Sequence, residues 1–216
     1  MDSYRDRLKT YLLGEGADLV GFALVADFAD ALEGAAPTDN MKDARSVIII
    51  AVRVDAPPGT EKEHAMAAWR GNVFPLNELA FKASKLLFKE GYSALVVPAA
   101  TRSAYEALKG EISHKHAAVK SGLGCIGKSS LLVTPGFGPR VALISIITDA
   151  ELGGGEEFRE NLCGGCEICA RICPIEDTVN EECEDGYYRI RKEKCIKCYL
   201  CYTECPIGVE KDEKLI

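Results

Sequence analysis

Two segments with the same cysteine spacing decide the fold of the last quarter of this chain: Cys163-Gly-Gly-Cys-Glu-Ile-Cys-Ala-Arg-Ile-Cys-Pro174 and Cys195-Ile-Lys-Cys-Tyr-Leu-Cys-Tyr-Thr-Glu-Cys-Pro206. Each segment reads C-x2-C-x2-C-x3-C-P, a spacing typical of iron–sulfur proteins. Three thiolates at two-residue gaps converge on one face of an iron–sulfur cube, and the fourth, ahead of proline, turns toward the other cube. The pattern therefore predicts two [4Fe-4S] clusters.

This crossed scheme assigns each cysteine to a cluster. The first cluster is predicted to bind Cys163, Cys166, Cys169 and Cys205. The second cluster is predicted to bind Cys195, Cys198, Cys201 and Cys173. Cys183 lies outside both motifs, and we expect a free, inert thiol there.

Zinc and disulfides are weaker interpretations of these cysteines. Zinc knuckles usually present two separated cysteine pairs, not a third cysteine followed by Cys-Pro. Disulfides need an oxidising compartment, but the N-terminal MDSYRDRLKTYLL carries acids among its bases and resembles an amphipathic helix, not an export signal. No apolar run approaches the roughly 18–20 residues that a membrane span needs. We therefore expect a cytoplasmic protein that does not engage a membrane.

The formal net charge of −7 is unevenly distributed. Residues 151–216 hold 16 acids and 9 bases, so residues 1–150 balance to zero. Neither part offers the basic surface with which proteins bind nucleic-acid phosphates.

Residues 1–150 are predicted to form a mixed α/β (α+β) domain. Ser46-Val-Ile-Ile-Ile-Ala-Val-Arg-Val54 is continuous and β-branched, which favours a central strand buried on both faces. Further elements are a strand at Asp18–Val25, a short helix at Asp27–Glu33 and a longer helix from Pro75 to Gly91. Gly153-Gly-Gly155 is the predicted hinge into the module of residues 151–216.

A glycine-rich stretch, Ser121-Gly-Leu-Gly-Cys-Ile-Gly-Lys-Ser-Ser130, follows a segment with helical character over Ile112–Lys120. It fits the G-x4-G-K-S form of a phosphate loop in one frame. A phosphate loop lies between a buried strand and a helix, whereas here the helical segment precedes and a predicted strand, Leu131–Thr134, follows. A nucleotide hydrolase is therefore a minor alternative, and a tight turn for close backbone packing is another.

The order of these motifs resembles the epoxyqueuosine reductase and reductive dehalogenase superfamily. Its members carry H-x-x-A-x-x-AGLG-W-IGK-[SN]. The corresponding segment here is Ile112-Ser-His-Lys-His-Ala-Ala-Val-Lys-Ser-Gly-Leu-Gly-Cys-Ile-Gly-Lys-Ser-Ser-Leu-Leu-Val-Thr-Pro-Gly-Phe-Gly-Pro-Arg140, followed by a strand and the two cysteine motifs. The resemblance covers about residues 40 to 210 and is specific through this combination.

The resemblance implies a nitroreductase-like, corrinoid-binding domain over residues 1–150, followed by a bacterial-type 2[4Fe-4S] ferredoxin-like module. Its clusters would deliver electrons to cobalamin or, as a less favoured choice, FMN, while the protein supplies burial and polar contacts. The implied cofactor-binding residues are His114, His116, Gly122, Leu123, Gly124, Cys125, Ile126, Gly127, Lys128 and Ser129. Lys128 and Ser129 would contact propionamides or a phosphate of the nucleotide tail.

Departures from the family pattern shape the expected activity. Cys125 replaces an aromatic residue; it would face the cofactor, lie near a cluster or, as the favoured alternative, fill a small core site. The family's upstream acidic proton donor has no Asp counterpart between Asp55 and Asp149, so Tyr105 and Glu111 become the candidate catalytic residues. The chain also ends after the dicluster module, without the helical-repeat extension that helps epoxyqueuosine reductases hold tRNA. Together with the charge distribution, this leads us to expect no tRNA substrate.

We therefore expect an iron–sulfur reductase supplied by an electron donor such as ferredoxin or flavodoxin. Its substrate would be a small molecule or the corrinoid of another protein, and a homodimer is an expectation by analogy with similar folds. The alternative is a dicluster electron-transfer protein whose N-terminal domain docks a partner and binds no other cofactor.

Overall fold

The computed structural model describes residues 3–99, 112–179, 181–182, 188–191 and 193–209. The chain forms two compact units that alternate along the sequence. Unit one consists of Met1–Arg53, Arg70–Leu123 and Ala142–Phe158. Unit two consists of Val54–Trp69, Gly124–Val141 and Arg159–Ile216. The glycine-rich stretch is therefore shared between the units, and the predicted domain boundary at residue 150 stays a prediction.

The described residues contain both helices and strands, which confirms the mixed α/β class. The helices are α1 (Tyr4–Gly14), α2 (Pro37–Asn40), α3 (Lys62–Gly71), α4 (Val73–Lys89), α5 (His114–Lys120), α6 (Ile168–Arg171) and α7 (Leu200–Thr203). The strands are β1 (Leu19–Leu24), β2 (Ser46–Arg53), β3 (Ala94–Val97), β4 (Cys125–Ile126), β5 (Leu132–Val133), β6 (Val141–Thr148), β7 (Glu181–Glu182) and β8 (Tyr188–Arg189). None of the helices in the described ranges is long and apolar enough to cross a bilayer.

Unit one is built on a four-stranded sheet in the order β1-β2-β6-β3. Strand β1 runs antiparallel to β2, and β3 runs antiparallel to β6. Every residue of β2 except Arg53 is buried, which confirms the predicted central strand. Helix α4 packs on β2 and β3, and helix α1 packs on β1 through buried Leu8 and Leu12. The sheet and these helices bury the apolar core of the unit.

Apart from most of helix α3, the strands and helices of unit two are short. Strands β4 and β5 form a short antiparallel pair with Cys125 opposite Val133. The next turn is closed by backbone hydrogen bonds in both directions between Thr134 and Gly138. Helices α6 and α7 are single turns that carry Cys169 and Cys201. Because the helices that carry these cysteines are so short, other contacts must hold the cysteines in place.

Glycine is required at position 21 of β1. A Cβ atom there would lie 2.8 Å from the Cβ of Ser121 and 3.0 Å from the Cγ of Leu123. We expect Gly21→Ala to lower the free energy of unfolding by about 1–3 kcal/mol, because an extra methyl group overpacks a filled site. Chemical denaturation measures the change. Gly14→Ala is the matched control, because a Cβ at Gly14 meets nothing within 4 Å, and an equal loss in both variants would contradict the prediction.

Candidate functional site

Unit two brings together the four cysteines predicted for the first cluster, named here the first cysteine set. The pKa of the Cys169 thiol is raised to about 11, first by burial and then by Cys163, Cys166 and Cys205. Sulfurs influence one another in this way when they are close and partly shielded from water. Cys205 comes from the other motif, so the fold groups the sulfurs across the two motifs.

The second cysteine set consists of the four cysteines predicted for the second cluster. The pKa of the Cys201 thiol is raised to about 12, first by burial and then, in order, by Cys198, Cys169, Cys195 and Cys173. Three of these neighbours belong to the second set. The fourth, Cys169, belongs to the first set, so the two sets adjoin.

Each cysteine set offers four thiols, the number that a [4Fe-4S] cluster binds. In the part of the chain that the structure describes, no three His, Cys, Asp or Glu side chains converge to hold one metal ion. A [4Fe-4S] cluster needs a different geometry from a single ion, because each cysteine binds its own iron and the four sulfurs surround the cube. Two adjoining sets of four interacting thiols fit that demand in number and chemistry.

Cluster assembly in the chain without iron is expected to release protons. The raised pKa values of Cys169 and Cys201 mean that both sulfurs are protonated at neutral pH. Iron binds thiolates, so each ligand must lose its proton first. Reconstitution with ferrous iron and sulfide should therefore go further at about pH 8.5 than at about pH 6.5.

Proton release during reconstitution can be measured in a pH-stat, with a protein-free mixture subtracted to remove the ionisation of sulfide. We expect net proton release for each cluster formed. Uptake of protons, or a yield that falls as the pH rises, would contradict the expected thiol-to-thiolate conversion.

Arg140 holds the segment that carries Cys205, and the sequence analysis gave it no role. The side chain is buried, and its guanidinium donates hydrogen bonds to the carbonyl oxygens of Cys205, at 2.8 Å, and of Ile207. Burial raises the pKa of the Cys205 thiol, while a backbone hydrogen bond from Ile207 and then the positive charge of Arg140 lower it. Arg140 therefore positions a predicted cluster ligand and favours its thiolate. The available sequence signal was a lone arginine directly before an apolar strand.

Glycines in unit two allow its loops to come close to one another. Gly138 and Gly208 have φ values of +58° and +70°, and a Cβ at either position would collide with the backbone of the other loop. A Cβ at Gly127 would lie 2.6 Å from a methyl group of Val133 and 3.2 Å from the Sγ of Cys163. The glycine-rich stretch therefore packs directly against one of the predicted cluster ligands.

Cys125 also lies beside Cys163. Its side chain is half-buried, and burial raises the pKa of its thiol; the backbone amide of Leu162 lowers that pKa and the Cys163 thiol raises it. Of the alternatives for this residue, proximity to a predicted cluster ligand has the direct structural support. Ile126, between Cys125 and Gly127, is buried in the same short strand pair.

The remaining glycines of the stretch are also packed against the chain. Gly122, in unit one, has a φ of +81°, and a Cβ there would lie 2.7 Å from the carbonyl oxygen of Glu156. A Cβ at Gly124, in unit two, would collide with the carbonyl of Val133. Helix α5 ends at Lys120 and strand β5 follows, which is not the strand–loop–helix order of a phosphate loop. Close packing is therefore a sufficient reason for these glycines.

Lys128 and Ser129 are almost completely buried in unit two, at 8% and 6% exposure. The Lys128 ammonium and the Ser129 hydroxyl are not among the buried side-chain atoms that lack a hydrogen-bond partner in the described residues, which are the hydroxyls of Tyr4, Thr178 and Tyr202.

The two histidines have different surroundings in unit one. His114 contacts the Ser145 hydroxyl through Nδ1 at 2.8 Å and the Pro98 carbonyl through Nε2 at 3.1 Å. A carbonyl can only accept, so Nε2 carries a proton in that arrangement. His116 contacts the Ser113 hydroxyl through Nδ1 at 2.7 Å. A serine hydroxyl therefore fixes the ring of each histidine. Leu123, the last residue of the second segment of unit one, is half-buried.

Tyr105 and Glu111, the candidate proton donors, lie outside the described residues, as does Cys183. Their predicted roles stay predictions.

Comparison with known proteins supports the predicted resemblance. The family model described as "4Fe-4S binding domain" matches residues 188–211, which include the second cysteine motif. An epoxyqueuosine reductase of Cyclobacterium marinum is 27% identical over 191 residues, which cover 71% of this chain and 61% of that protein. This chain spans less than two thirds of the length of that relative.

Two solved structures share the fold. An epoxyqueuosine reductase with an epoxyqueuosine-modified tRNA stem loop has a TM-score of 0.67 and 18% identity, over 94% of this chain and 65% of that chain. A reductive dehalogenase, described with a mechanism for B12-dependent dehalogenation, has a TM-score of 0.71 and 21% identity, over 96% of this chain and 32% of that chain. At these identities the likeness shows the fold.

Proposed function

Because the chain is related in sequence and fold to the epoxyqueuosine reductase and reductive dehalogenase superfamily, we propose that it is an iron–sulfur reductase with two [4Fe-4S] clusters. The first cysteine set would bind one cluster and the second set the other. The observation that carries the proposal is the grouping of sulfurs across the two motifs, in which Cys169 is influenced by members of the first set and Cys201 by members of the second set and by Cys169.

The residues of unit two prepare these sites in complementary ways. Arg140 fixes the backbone at Cys205 and favours its thiolate, while Gly127 leaves room for Cys163. Partial burial of Cys169 and Cys201 reduces the access of water to these two sulfurs. When bound, adjoining clusters would supply one-electron transfer from a donor such as ferredoxin or flavodoxin.

A further cofactor is proposed at the stretch Ile112–Arg140. Lys128 and Ser129, which are almost completely buried in unit two, support a ligand with phosphate or amide oxygens, because such oxygens accept hydrogen bonds from an ammonium and a hydroxyl. Cobalamin is favoured over FMN, since the dehalogenase of similar fold is described as B12-dependent. The glycines add no support, because each is already packed against the chain. When bound, cobalamin would supply a strongly reducing cobalt.

The proposed substrate is a small organic molecule or the corrinoid of a partner protein, with Tyr105 and Glu111 as candidate proton donors. We do not propose tRNA, although one structural neighbour holds a tRNA stem loop. The supporting observation is the charge of residues 151–216, where 16 acids outnumber 9 bases. We also propose a cytoplasmic location, because cluster thiolates need a reducing compartment.

Cofactor content of anaerobically purified protein tests the proposal. Incubation with hydroxocobalamin and gel filtration should leave about one cobalt and about eight irons per chain. Lys128→Gln should lower the cobalt content about tenfold and leave iron unchanged, while Lys128→Arg should retain more cobalt because it keeps the charge. Equal cobalt in the wild type and Lys128→Gln would contradict the proposed cobalamin site.

The alternative function is electron transfer without a further cofactor. It is favoured by the position of Gly127 and Cys125 against Cys163, which makes the glycine-rich stretch a wall of the predicted cluster site. Protein that holds about eight irons per chain but neither cobalt nor flavin, even after incubation with both cofactors, would establish this alternative.

A further inference from the structure

Helix α4 of unit one carries a row of aromatic residues on its solvent face, named here the phenylalanine row. Phe74, Phe81 and Phe88 are 76%, 63% and 75% exposed. They lie seven residues apart, so they share one face of the helix with a drift of about 20° per step. The opposite face buries Leu76, Leu79, Ala80, Ala83 and Leu87.

The packing of unit one does not account for the phenylalanine row. Single exposed Leu or Phe side chains are normal on a protein surface. Three aligned Phe rings form a contiguous apolar patch, and such a patch usually marks an interaction surface. The exposed parts of the three rings amount to roughly 400 Å². A standard interface buries about 800 Å² on each partner, so the row supplies about half of one side.

We propose that the phenylalanine row is an interface between two copies of this chain, with their α4 helices antiparallel across a two-fold axis at Phe81. The inference goes beyond the proposed reductase function and does not depend on any cofactor.

The spacing of the row fits such a two-fold axis. Phe74 and Phe88 lie at equal distances along the helix from Phe81, on either side of it. An antiparallel pair centred on Phe81 therefore places the two Phe81 rings together and Phe74 against Phe88 of the second copy. All six rings are covered, and the same surface serves both copies, as an isologous interface requires.

The charges beside the row also fit a second copy. Glu78 and Lys85 flank Phe81 on one side of the row, and a two-fold axis across the helices brings that side against itself. Glu78 of one copy would then meet Lys85 of the other, twice, with an offset of about 1.5 Å along the helix. Parallel helices would instead place Glu78 opposite the other flank of the row, which carries Asn77 and Ser84 and no opposite charge. The antiparallel dimer is the arrangement that pairs opposite charges.

Both charged residues already lie at the edge of the row. Glu78 forms an ion pair with Lys82 at 2.7 Å, and its side chain keeps 50% exposure. The Nζ of Lys85 lies 6.0 Å from the centre of the Phe81 ring. Neither residue has to leave the surface of α4 to reach a second copy.

Sedimentation of the full chain over a range of concentrations tests the proposal. The wild type is expected to be dimeric at micromolar concentration. Phe81→Glu should raise the dissociation constant at least about 100-fold, because two carboxylates would face each other on the axis. Leu32→Glu is the matched control: it adds the same charge at an apolar residue of unit one that is 73% exposed and lies outside α4. Circular dichroism should show both variants folded.

A charge exchange tests the antiparallel arrangement. Glu78→Lys and Lys85→Glu should each weaken the dimer several-fold, and the double variant should restore it, because the opposite charges meet again. A chain that is monomeric at every concentration, or a dimer that tolerates Phe81→Glu, would overturn the interface. A double variant no tighter than the single ones would overturn the antiparallel pairing.

Discussion

Cys205→Ala is expected to remove the same cluster as Cys163→Ala, although the two cysteines lie in different motifs. The reason is the crossed grouping of sulfurs, in which Cys163 and Cys205 both act on Cys169. Each single variant should hold about four irons per chain instead of about eight. Iron and sulfide analysis of anaerobically purified protein measures the loss.

Double variants distinguish crossed ligation from ligation within each motif. With crossed ligation, Cys163→Ala combined with Cys205→Ala should still hold about four irons, because one cluster is lost twice. Cys195→Ala combined with Cys205→Ala should hold none. Cys183→Ala is the control and should keep both clusters, since Cys183 lies outside both motifs. The opposite result for the two double variants would show that each motif binds its own cluster.

Arg140→Met is expected to destabilise unit two by about 2–6 kcal/mol, since an unsatisfied buried polar group costs about 1–3 kcal/mol. The guanidinium donates to the carbonyl oxygens of both Cys205 and Ile207, and methionine leaves both without that donor. We expect lower iron content, with the loss confined to the first cluster. Chemical denaturation and electron paramagnetic resonance of the reduced protein measure the two effects.

Arg140→Lys is the matched control for charge. Lysine keeps the positive charge near Cys205 but cannot reproduce the planar, two-armed contact of arginine. Its effect on stability and iron content should therefore lie between those of the wild type and Arg140→Met. Full stability and eight irons in Arg140→Met would show that Arg140 does not position the cluster ligand.

Local sequence patterns predicted the central strand and the long helix of unit one. The β-branched run at Ser46–Arg53 forms the buried strand β2, and the apolar spacing after Pro75 forms α4. The short helix predicted at Asp27–Glu33 was wrong. The structure has a 3₁₀ helix at Val25–Phe28 instead. The carboxylate of Asp27 accepts a hydrogen bond from the backbone amide of Leu24 at 2.9 Å, which fixes the start of the turn before Asp27.

Cysteine spacing predicted which sulfurs lie together, because the motif itself encodes the geometry of a cube. The neighbours of Cys169 and Cys201 agree with that grouping, while iron ligation stays a prediction. The contacts of Arg140 with Cys205 and Ile207 were not predictable, since they join distant parts of the chain that share no periodic pattern. The exposure of Phe88 was also not predictable, because helical spacing alone does not tell which apolar residues of a helix are buried.

Metal analysis of anaerobically purified wild-type protein, combined with electron paramagnetic resonance after dithionite reduction, tests the central proposal most directly. Two adjoining [4Fe-4S] clusters predict about eight irons and about eight sulfides per chain, with a spectrum broadened by magnetic coupling between two reduced clusters. A colourless protein without iron, or one that holds zinc in these cysteines, would contradict the proposal.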